Sequence, residues 1–124
     1  MRRLGDLEAL VMARLWAADE PMTVRAVLEH LQQQRPLAYT TVMTVMDNLH
    51  KKDVLQREPD GRAYVYWPAR SREEYAADLV EEALDVTEDR AAALLGFVDR
   101  MTPKEVAKLR RALGAAKVDK GRRR

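Results

Sequence analysis

The spacing of the apolar residues changes once along this chain, and that change limits the folds it can adopt. Up to Leu49 the apolar residues recur every three or four positions, in stretches interrupted by Pro21 and Pro36. Between Val54 and Trp67 the pattern shifts to a period of two. The first spacing is typical of amphipathic helices and the second of half-buried strands. The sequence therefore predicts three short helices followed by two strands.

The first two predicted helices begin at residues that cap helices well. Asp6 is expected to cap the first, which ends near Ala18, and Thr23 the second, which ends before Pro36. Apolar residues at helical spacing predict the buried face of each helix. These residues are Leu7, Leu10, Val11 and Leu15 in the first helix, and Val24, Val27, Leu28 and Leu31 in the second.

The third predicted helix, residues 39–52, has an outward face that differs from most solvated helix surfaces. Its buried stripe is predicted to consist of Val42, Val45, Met46 and Leu49. The opposite face carries threonines and Met43, and it ends in Lys51 and Lys52. Threonine hydroxyls can bond base edges, methyl groups can contact thymine methyls, and lysines can pair with phosphates. The face suits the major groove of DNA, but an ordinary amphipathic helix with a polar outer face is the alternative.

The two predicted strands, residues 54–58 and 64–67, are joined by a turn from Pro59 to Arg62. Proline restricts φ and glycine tolerates positive φ, so Pro59-Asp60-Gly61-Arg62 suits a turn. Three helices followed by a hairpin describe a winged helix-turn-helix, whose third helix enters the major groove and whose hairpin is the wing. An unrelated small α+β domain is the alternative.

Three further amphipathic helices are predicted after Pro68: one that ends near Thr87, one from Ala91 to Met101, and one that begins at Pro103. Ser71 with Glu74, and Thr102 with Glu105, match the capping box. A few short helices bury little apolar surface alone, which favours burial between two copies of the chain; docking on the first domain is the alternative. The predicted dimerisation residues are Tyr75, Leu79, Leu84, Leu94, Leu95, Phe97, Val98, Leu109 and Leu113.

The predicted fold class is therefore mostly α with a small β-hairpin. Residues 1–70 are expected to form the winged-helix domain, and residues 71–124 a helical dimerisation domain with a basic tail from Gly121 to Arg124. The second domain separates its charges: residues 71–89 hold one arginine and eight acidic residues, and residues 90–124 hold eleven basic and three acidic residues. Either these helices attract each other, or each is a solvated surface.

Composition excludes several other classes of protein. The chain has no cysteine, which rules out disulfides and thiolate sites and suits a reducing cytoplasm. His30 and His50 have no plausible partner ligands. The apolar run at residues 91–98 is too short to span a membrane, and Asp6 and Glu8 interrupt any signal-peptide core. We therefore expect a cytoplasmic protein that is not an enzyme, with no cofactor, no metal and no membrane insertion.

The function that these features favour is sequence-specific binding of double-stranded DNA by a dimeric protein. Thr40, Met43 and Thr44 are expected to face base edges. The whole predicted DNA-binding set is Arg25, Tyr39, Thr40, Thr41, Met43, Thr44, Lys51, Lys52 and Arg62. The alternative is a winged-helix module that binds protein and never DNA, although such a helix more often exposes Leu, Phe or Trp.

Four stretches also match a known sequence pattern. They are Leu4-Gly5-Asp6-Leu7-Glu8, Ala38-Tyr39-Thr40-Thr41-Val42-Met43-Thr44, Leu49-x-Lys51-Lys52, and Asp60-Gly61-Arg62-Ala63-Tyr64 through Tyr66. In these stretches the chain resembles the BlaI/MecI/CopY family of bacterial repressors, also called penicillinase repressors. The resemblance covers nearly the whole chain, including the helical residues around Leu95-Gly96-Phe97-Val98.

This resemblance implies a homodimer with an intertwined helical domain, a palindromic operator, and repression of resistance genes. In the β-lactam branch, release follows cleavage in the C-terminal domain after a membrane-bound sensor protease detects the drug. Staphylococcal members are cut at an Asn-Phe bond, and the matching pair here is Gly96-Phe97. Cleavage at this bond and close packing of Gly96 at a helix crossing stay open as alternatives. The copper branch senses metal through cysteines, which this chain lacks.

Overall fold

Three helices, a β-hairpin and three more helices follow one another along the chain, as the apolar spacing predicted. The computed structural model describes residues 4–122, with side chains as far as Ala116. The elements are α1 Asp6–Ala17, α2 Val24–Leu31, α3 Tyr39–Lys51, β1 Leu55–Asp60, β2 Ala63–Pro68, α4 Arg72–Leu84, α5 Arg90–Val98 and α6 Pro103–Arg122. This order confirms the mostly α, winged helix-turn-helix fold class.

The chain divides into two compact units, and the division falls between Glu81 and Glu82, within α4. The domain boundary that the sequence predicts after Arg70 is a different statement, because it says which residues fold independently. It stays a prediction. None of the helices in the described part of the chain has the length and apolarity needed to cross a bilayer.

The core of the first unit is built mainly from the predicted helical stripes. All four predicted positions of α2 are buried, and so are three of the four in α3, with Val45 half-buried. In α1 the buried residues are Val11, Met12 and Leu15, whereas Leu7 and Leu10 are half-buried. Because α1 packs against α2, α3 and β2, its covered face is broader than the single stripe that periodicity indicated. Val54, Leu55 and Tyr66 complete this core.

Two of the predicted helix starts can be compared directly with the structure. Thr23 caps α2 as expected, since its Oγ1 accepts a hydrogen bond of 3.1 Å from the N–H of Ala26. The expectation that Asp6 caps α1 is wrong, because Gly5 holds the extended N-cap position and Asp6 lies in the first turn. The N–H of Gly5 donates to Glu8 Oε1 at 3.0 Å. Asp6 still favours the helix through the macrodipole.

The hairpin has a shorter turn than the sequence suggested. Pro59 lies within β1 opposite Tyr64, and Gly61 and Arg62 form a two-residue loop between Asp60 and Ala63. Proline is tolerated there because β1 is an edge strand of a two-stranded sheet. Gly61 has φ +66°, a conformation that favours glycine and that suits the first position of a two-residue hairpin loop. The expectation of a turn that starts at Pro59 is therefore wrong.

A short bridge connects the hairpin to the start of α2. The N–H of Met22 donates to the carbonyl of Tyr66 at 3.0 Å, and the N–H of Tyr66 donates to the carbonyl of Met22 at 2.8 Å. Met22 directly precedes the Thr23 cap. The backbone of β2 is therefore held at Tyr66 from the side opposite β1.

The capping boxes predicted for the later helices are present. The N–H of Ser71 donates to Glu74 Oε1 and the N–H of Glu74 to Ser71 Oγ, both at 3.0 Å. Thr102 and Glu105 make the same exchange at 3.0 and 3.2 Å. Asp89, which the sequence analysis did not single out, caps α5 through the N–H of Ala92 at 3.0 Å.

The later helices end at somewhat different places from those expected. The helix α4 ends at Leu84 rather than near Thr87, and α5 ends at Val98 rather than at Met101. The helix α6 continues to Arg122, so helical backbone extends into the expected basic tail. Arg123 and Arg124 lie outside the described residues.

The first turns of α4 belong to the first unit. Tyr75 is 6% exposed, and its ring centroid lies 5.7 Å from that of Trp16. The Arg72 guanidinium lies 5.2 Å from the Trp16 ring centroid, and the indole N–H of Trp16 donates to the carbonyl of Arg70 at 2.9 Å. Tyr75, predicted to be a dimerisation residue, is thus largely covered within its own chain.

We expect Tyr75→Ala to lower the free energy of unfolding of the first unit by about 2 kcal/mol, because an aromatic side chain loses its buried contacts. Urea denaturation followed by tryptophan fluorescence measures the change. Val80→Ala is the matched control, since Val80 is on the same helix and is 48% exposed. Its effect should stay within about 0.5 kcal/mol. Equal losses in the two variants would show that the Tyr75 contact contributes nothing specific.

Candidate nucleic-acid interface

The first turns of α3 present an uninterrupted exposed surface. Thr40, Thr41 and Thr44 are exposed, and Tyr39 and Met43 are 40% and 41% exposed. These side chains face outward because the opposite face of the helix is held in the core, where Val42, Met46 and Leu49 are completely buried. The structure therefore places the predicted base-facing residues together on one accessible surface.

An open groove of about 430 Å³ lies beside this surface, between α3, the start of α2 and the wing. Four residues of the predicted DNA-binding set line it, namely Arg25, Tyr39, Met43 and Arg62. They come from three separate elements, so only the tertiary structure brings them together. The remaining lining residues are Thr23, Val24, Ala63, Tyr64 and Tyr66.

The two arginines of this groove form no ion pair with any carboxylate whose side chain is described, that is, within residues 4–116. The Arg25 guanidinium carbon lies 5.3 Å from the centroid of the Tyr39 ring, which orients the arginine without cancelling its charge. These two arginines are therefore available for an anionic ligand such as a phosphate.

The two lysines at the end of α3 are instead paired. Lys51 Nζ lies 3.0 Å from Asp47 Oδ2, and Lys51 is 70% exposed. Lys52 Nζ lies 2.9 Å from Glu8 Oε2, at the start of α1. The hydrogen bond from Lys51 lowers the pKa of Asp47, and Arg57 acts in the same direction. Either lysine must exchange its carboxylate for a phosphate before it can contact DNA.

Comparison with known proteins shows the family to which this chain belongs. The model of the penicillinase repressor family matches residues 4–115. The chain belongs to the penicillinase repressor family. The transcriptional regulator BlaI of Mycobacterium tuberculosis is 47% identical over 126 aligned residues, which cover 99% of this chain and 91% of that protein. Proteins of this family are transcriptional regulators and not enzymes, which confirms the expectation that this protein is not an enzyme.

Two solved structures share the fold of the repressor at 26% identity. The DNA-binding domain of the repressor BlaI matches with a TM-score of 0.52 and covers 60% of this chain and 94% of that one. The monomeric form of BlaI from Bacillus licheniformis, solved in complex with the blaP half-operator, matches with a TM-score of 0.50 and covers 60% of this chain and 89% of that one.

The sequence analysis missed three residues on the groove-facing side of the hairpin, namely Arg57, Tyr64 and Tyr66. Arg57 Nη1 donates to Asp47 Oδ1 at 3.1 Å and to the Tyr66 hydroxyl at 3.3 Å. Tyr64 is 44% exposed and lines the groove. In the observed register Arg57 pairs with Tyr66 and Pro59 with Tyr64, so these side chains share one face of the hairpin. The sequence analysis assigned residues 59–62 to the turn, so it did not predict which residues of the two strands lie opposite each other. The alternation of side chains along β2 would still have placed Tyr64 and Tyr66 on the same face.

The predicted dimerisation residues of the repressor differ in how far they are covered. Leu94, Leu95, Phe97, Leu109 and Leu113 are exposed, with Leu95 at 65% and Phe97 at 62%. Leu79, Leu84 and Val98 are half-buried. Gly96 and Phe97 lie within α5, and a Cβ added at Gly96 would meet no atom within 4 Å among the described residues. No group of three or more metal-ligating side chains occurs in the described part of the chain.

We expect Glu8→Gln to lower the melting temperature of the repressor near neutral pH and to have little effect near pH 3. Burial alone would raise the pKa of Glu8, but the Gly5 N–H and the Lys52 ammonium together lower it below its ordinary value of 4.5. Because this pKa is lower in the folded than in the unfolded chain, the stabilisation is complete above the unfolded-state pKa. It is lost as the pH falls through the folded-state pKa.

Thermal unfolding followed by circular dichroism across this pH range tests the prediction. Glu29→Gln removes an exposed carboxylate from α2 and serves as the control. A difference between Glu8→Gln and the parent that does not change with pH would contradict the assigned role of Glu8.

Proposed function

We propose that this transcriptional repressor binds a palindromic operator as a homodimer, with α3 in the major groove and the wing beside it. The observation that carries the proposal is the exposed surface of Tyr39, Thr40, Thr41, Met43 and Thr44. Arg25 and Arg62 flank this surface, and neither forms an ion pair within the described side chains. A protein-binding helix would present large apolar anchors. On α3, Leu49 is buried, and the exposed large side chains are Tyr39 and Met43.

The proposed contacts divide into two groups. Thr40, Met43 and Thr44 face base edges, where a hydroxyl can donate or accept and a methyl group can contact thymine. Thr41 lies beside them. Positive charge at Arg25, Lys51, Lys52 and Arg62, together with the Tyr39 hydroxyl, holds phosphates and so sets the position of α3 on the duplex. The BlaI structure in complex with a half-operator supports this arrangement, since it has the same fold.

The two groups of contacts predict different mutant behaviour. Thr44→Ala should reduce the preference for operator over random DNA by about 1–3 kcal/mol, because a base contact is lost. Lys51→Ala should weaken binding to both DNAs alike and reduce the slope of affinity against salt by about one unit. Gel-shift titrations at two salt concentrations, on a fragment of the protein's own promoter and on random DNA, measure both effects.

Lys104→Ala is the control for Lys51→Ala, since it removes the same charge from the second unit. It should change neither the salt slope nor the preference for the operator. If Thr44→Ala and Lys51→Ala both bind the two DNAs as the parent does, α3 is not the DNA-contacting helix.

The proposal of a homodimer is based on the apolar surface of the second unit. The helix α5 has no buried residue, and Leu94, Leu95 and Phe97 are all exposed. Neighbouring large apolar side chains that are exposed together are typical of partner-binding sites. A palindromic operator needs two α3 helices related by a two-fold axis, and one chain supplies one. A second copy of the chain would satisfy both requirements.

We expect Phe97→Glu to convert the dimer to a monomer, because it would place an unpaired charge in the interface and remove an aromatic contact of about 2–3 kcal/mol. Sedimentation at micromolar concentration measures the assembly state. Val86→Glu is the matched control: Val86 is 91% exposed and lies between α4 and α5, outside the proposed interface. A parent protein that sediments as a monomer would contradict the proposal.

Three further parts of the proposal follow from the resemblance to the family. The regulated genes are of the resistance type, and the repressor acts in the cytoplasm, where its operator is located. A membrane-bound sensor protease that cuts at Gly96-Phe97 is a separate possibility for release. Since both residues lie in helical backbone, such cleavage would require α5 to unfold locally.

A further inference from the structure

The carboxylate of Asp47 lies between two cations from different elements. Asp47 Oδ1 accepts a hydrogen bond of 3.1 Å from Arg57 Nη1 on β1. Asp47 Oδ2 lies 3.0 Å from Lys51 Nζ, one turn further along α3. Asp47 therefore joins the wing to α3, the helix proposed to read the operator.

Arg57 reaches three groups at once. Besides its bond to Asp47, its Nη1 lies 3.3 Å from the Tyr66 hydroxyl, and its guanidinium carbon lies 4.3 Å from the centroid of the Tyr64 ring. The Arg57 side chain is 25% exposed, so it is partly shielded from solvent. Tyr66 is itself held by the backbone bridge to Met22. Arg57 thus connects α3 to a part of the wing whose backbone is already fixed.

The position of Arg57 along the hairpin makes this connection important for the wing tip. Leu55 and Tyr66 are buried, so the hydrophobic core holds only the base of the hairpin. Arg57 and Asp60 are three residues apart, which corresponds to about 10 Å along a strand. An isolated two-stranded hairpin is only marginally stable in water. The direction in which the tip points is therefore set chiefly by the contacts of Arg57.

We infer that Arg57 is a positioning residue for operator recognition. By linking Asp47 to Tyr64 and Tyr66, it holds the wing tip at the distance from α3 at which Arg62 and the first turns of α3 contact the same half-site. The inference rests on the proposed function, because it assigns Arg57 to the binding of operator DNA. Arg57 acts through the residues it orients and needs no contact with DNA of its own.

The geometry also requires arginine in particular. A guanidinium is planar and carries five donors, so it can bond a carboxylate and a hydroxyl while its face lies against an aromatic ring. A lysine can keep the ion pair with Asp47, but its point charge cannot make the three contacts together. Arg57→Lys should therefore restore only part of the function that Arg57→Gln loses.

The test measures the ratio of affinities for two DNAs in the full-length protein. The probes are a promoter fragment of the protein's own gene that the parent protects from cleavage, and a random-sequence fragment of equal length. Arg57→Gln should lower this ratio about tenfold, as expected for residues that share one network. Hydroxyl-radical footprints should lose protection at the wing-proximal edge of each half-site. Arg57→Lys should fall between Arg57→Gln and the parent.

A double-mutant cycle separates positioning from simple charge. Asp47→Ala should also lower the ratio about tenfold, and the double variant Asp47→Ala/Arg57→Gln, which keeps the parent's net charge, should lose about the same factor rather than the product. The control is Arg72→Gln on α4. It also removes an arginine that lies over an aromatic ring, since the Arg72 guanidinium is 5.2 Å from the centroid of the Trp16 ring. It should leave the ratio unchanged.

Several outcomes would overturn the inference. Additive losses in the cycle, or equal losses on both DNAs with an unchanged footprint, would show that Arg57 supplies charge alone. An unchanged ratio in Arg57→Gln and Asp47→Ala would show that the wing needs no such link. If Arg57→Gln fails to fold, Arg57→Lys and Asp47→Ala decide the question by the same ratio. A parent that does not discriminate between the fragments would instead contradict the proposed function itself.

Discussion

Burial of one stripe of α3 is the interaction on which the rest of the structure depends. Val42, Met46 and Leu49 are completely buried between α1, α2 and the base of the hairpin. Because a helix has 3.6 residues per turn, fixing this stripe in the core also fixes which side chains point outward. The exposed threonines and Met43 are therefore a consequence of core packing. A rotation of α3 that moved these exposed side chains would also bring part of the buried stripe to the surface, and so would cost buried apolar area.

The charges around this surface fall into two kinds, and the difference has a physical consequence. Arg25 and Arg62 have no carboxylate partner within the described residues, so their attraction to phosphate is not reduced by a competing pair. Lys51 and Lys52 are each paired. An exposed ion pair contributes little to stability, so exchanging Asp47 for a phosphate costs Lys51 little. Lys52 has a partner whose side chain is only 19% exposed, which makes that exchange less favourable.

The second unit has the opposite character, since its helices are well capped but poorly covered. The Asp89 cap and the capping box of Thr102 and Glu105 satisfy backbone donors at the starts of α5 and α6. Leu94, Leu95 and Phe97 of α5 nevertheless remain exposed. Local hydrogen bonds define where these helices begin, but they do not bury apolar surface. The proposed dimer would cover the exposed surface of helices whose starts are already locally specified.

The sequence alone determined the order of the elements, the buried stripes of α2 and α3, and the capping boxes, because these depend on residues within one or two helical turns. It also indicated the exposed face of α3. Only the tertiary structure decided the groove that joins Arg25 to Arg62, the Glu8–Lys52 pair, and the link from Asp47 through Arg57 to Tyr66. These contacts join separate elements, and hydrophobic periodicity describes one element at a time. The register of the hairpin and the packing of α3 against α1, α2 and β1 carry that missing information.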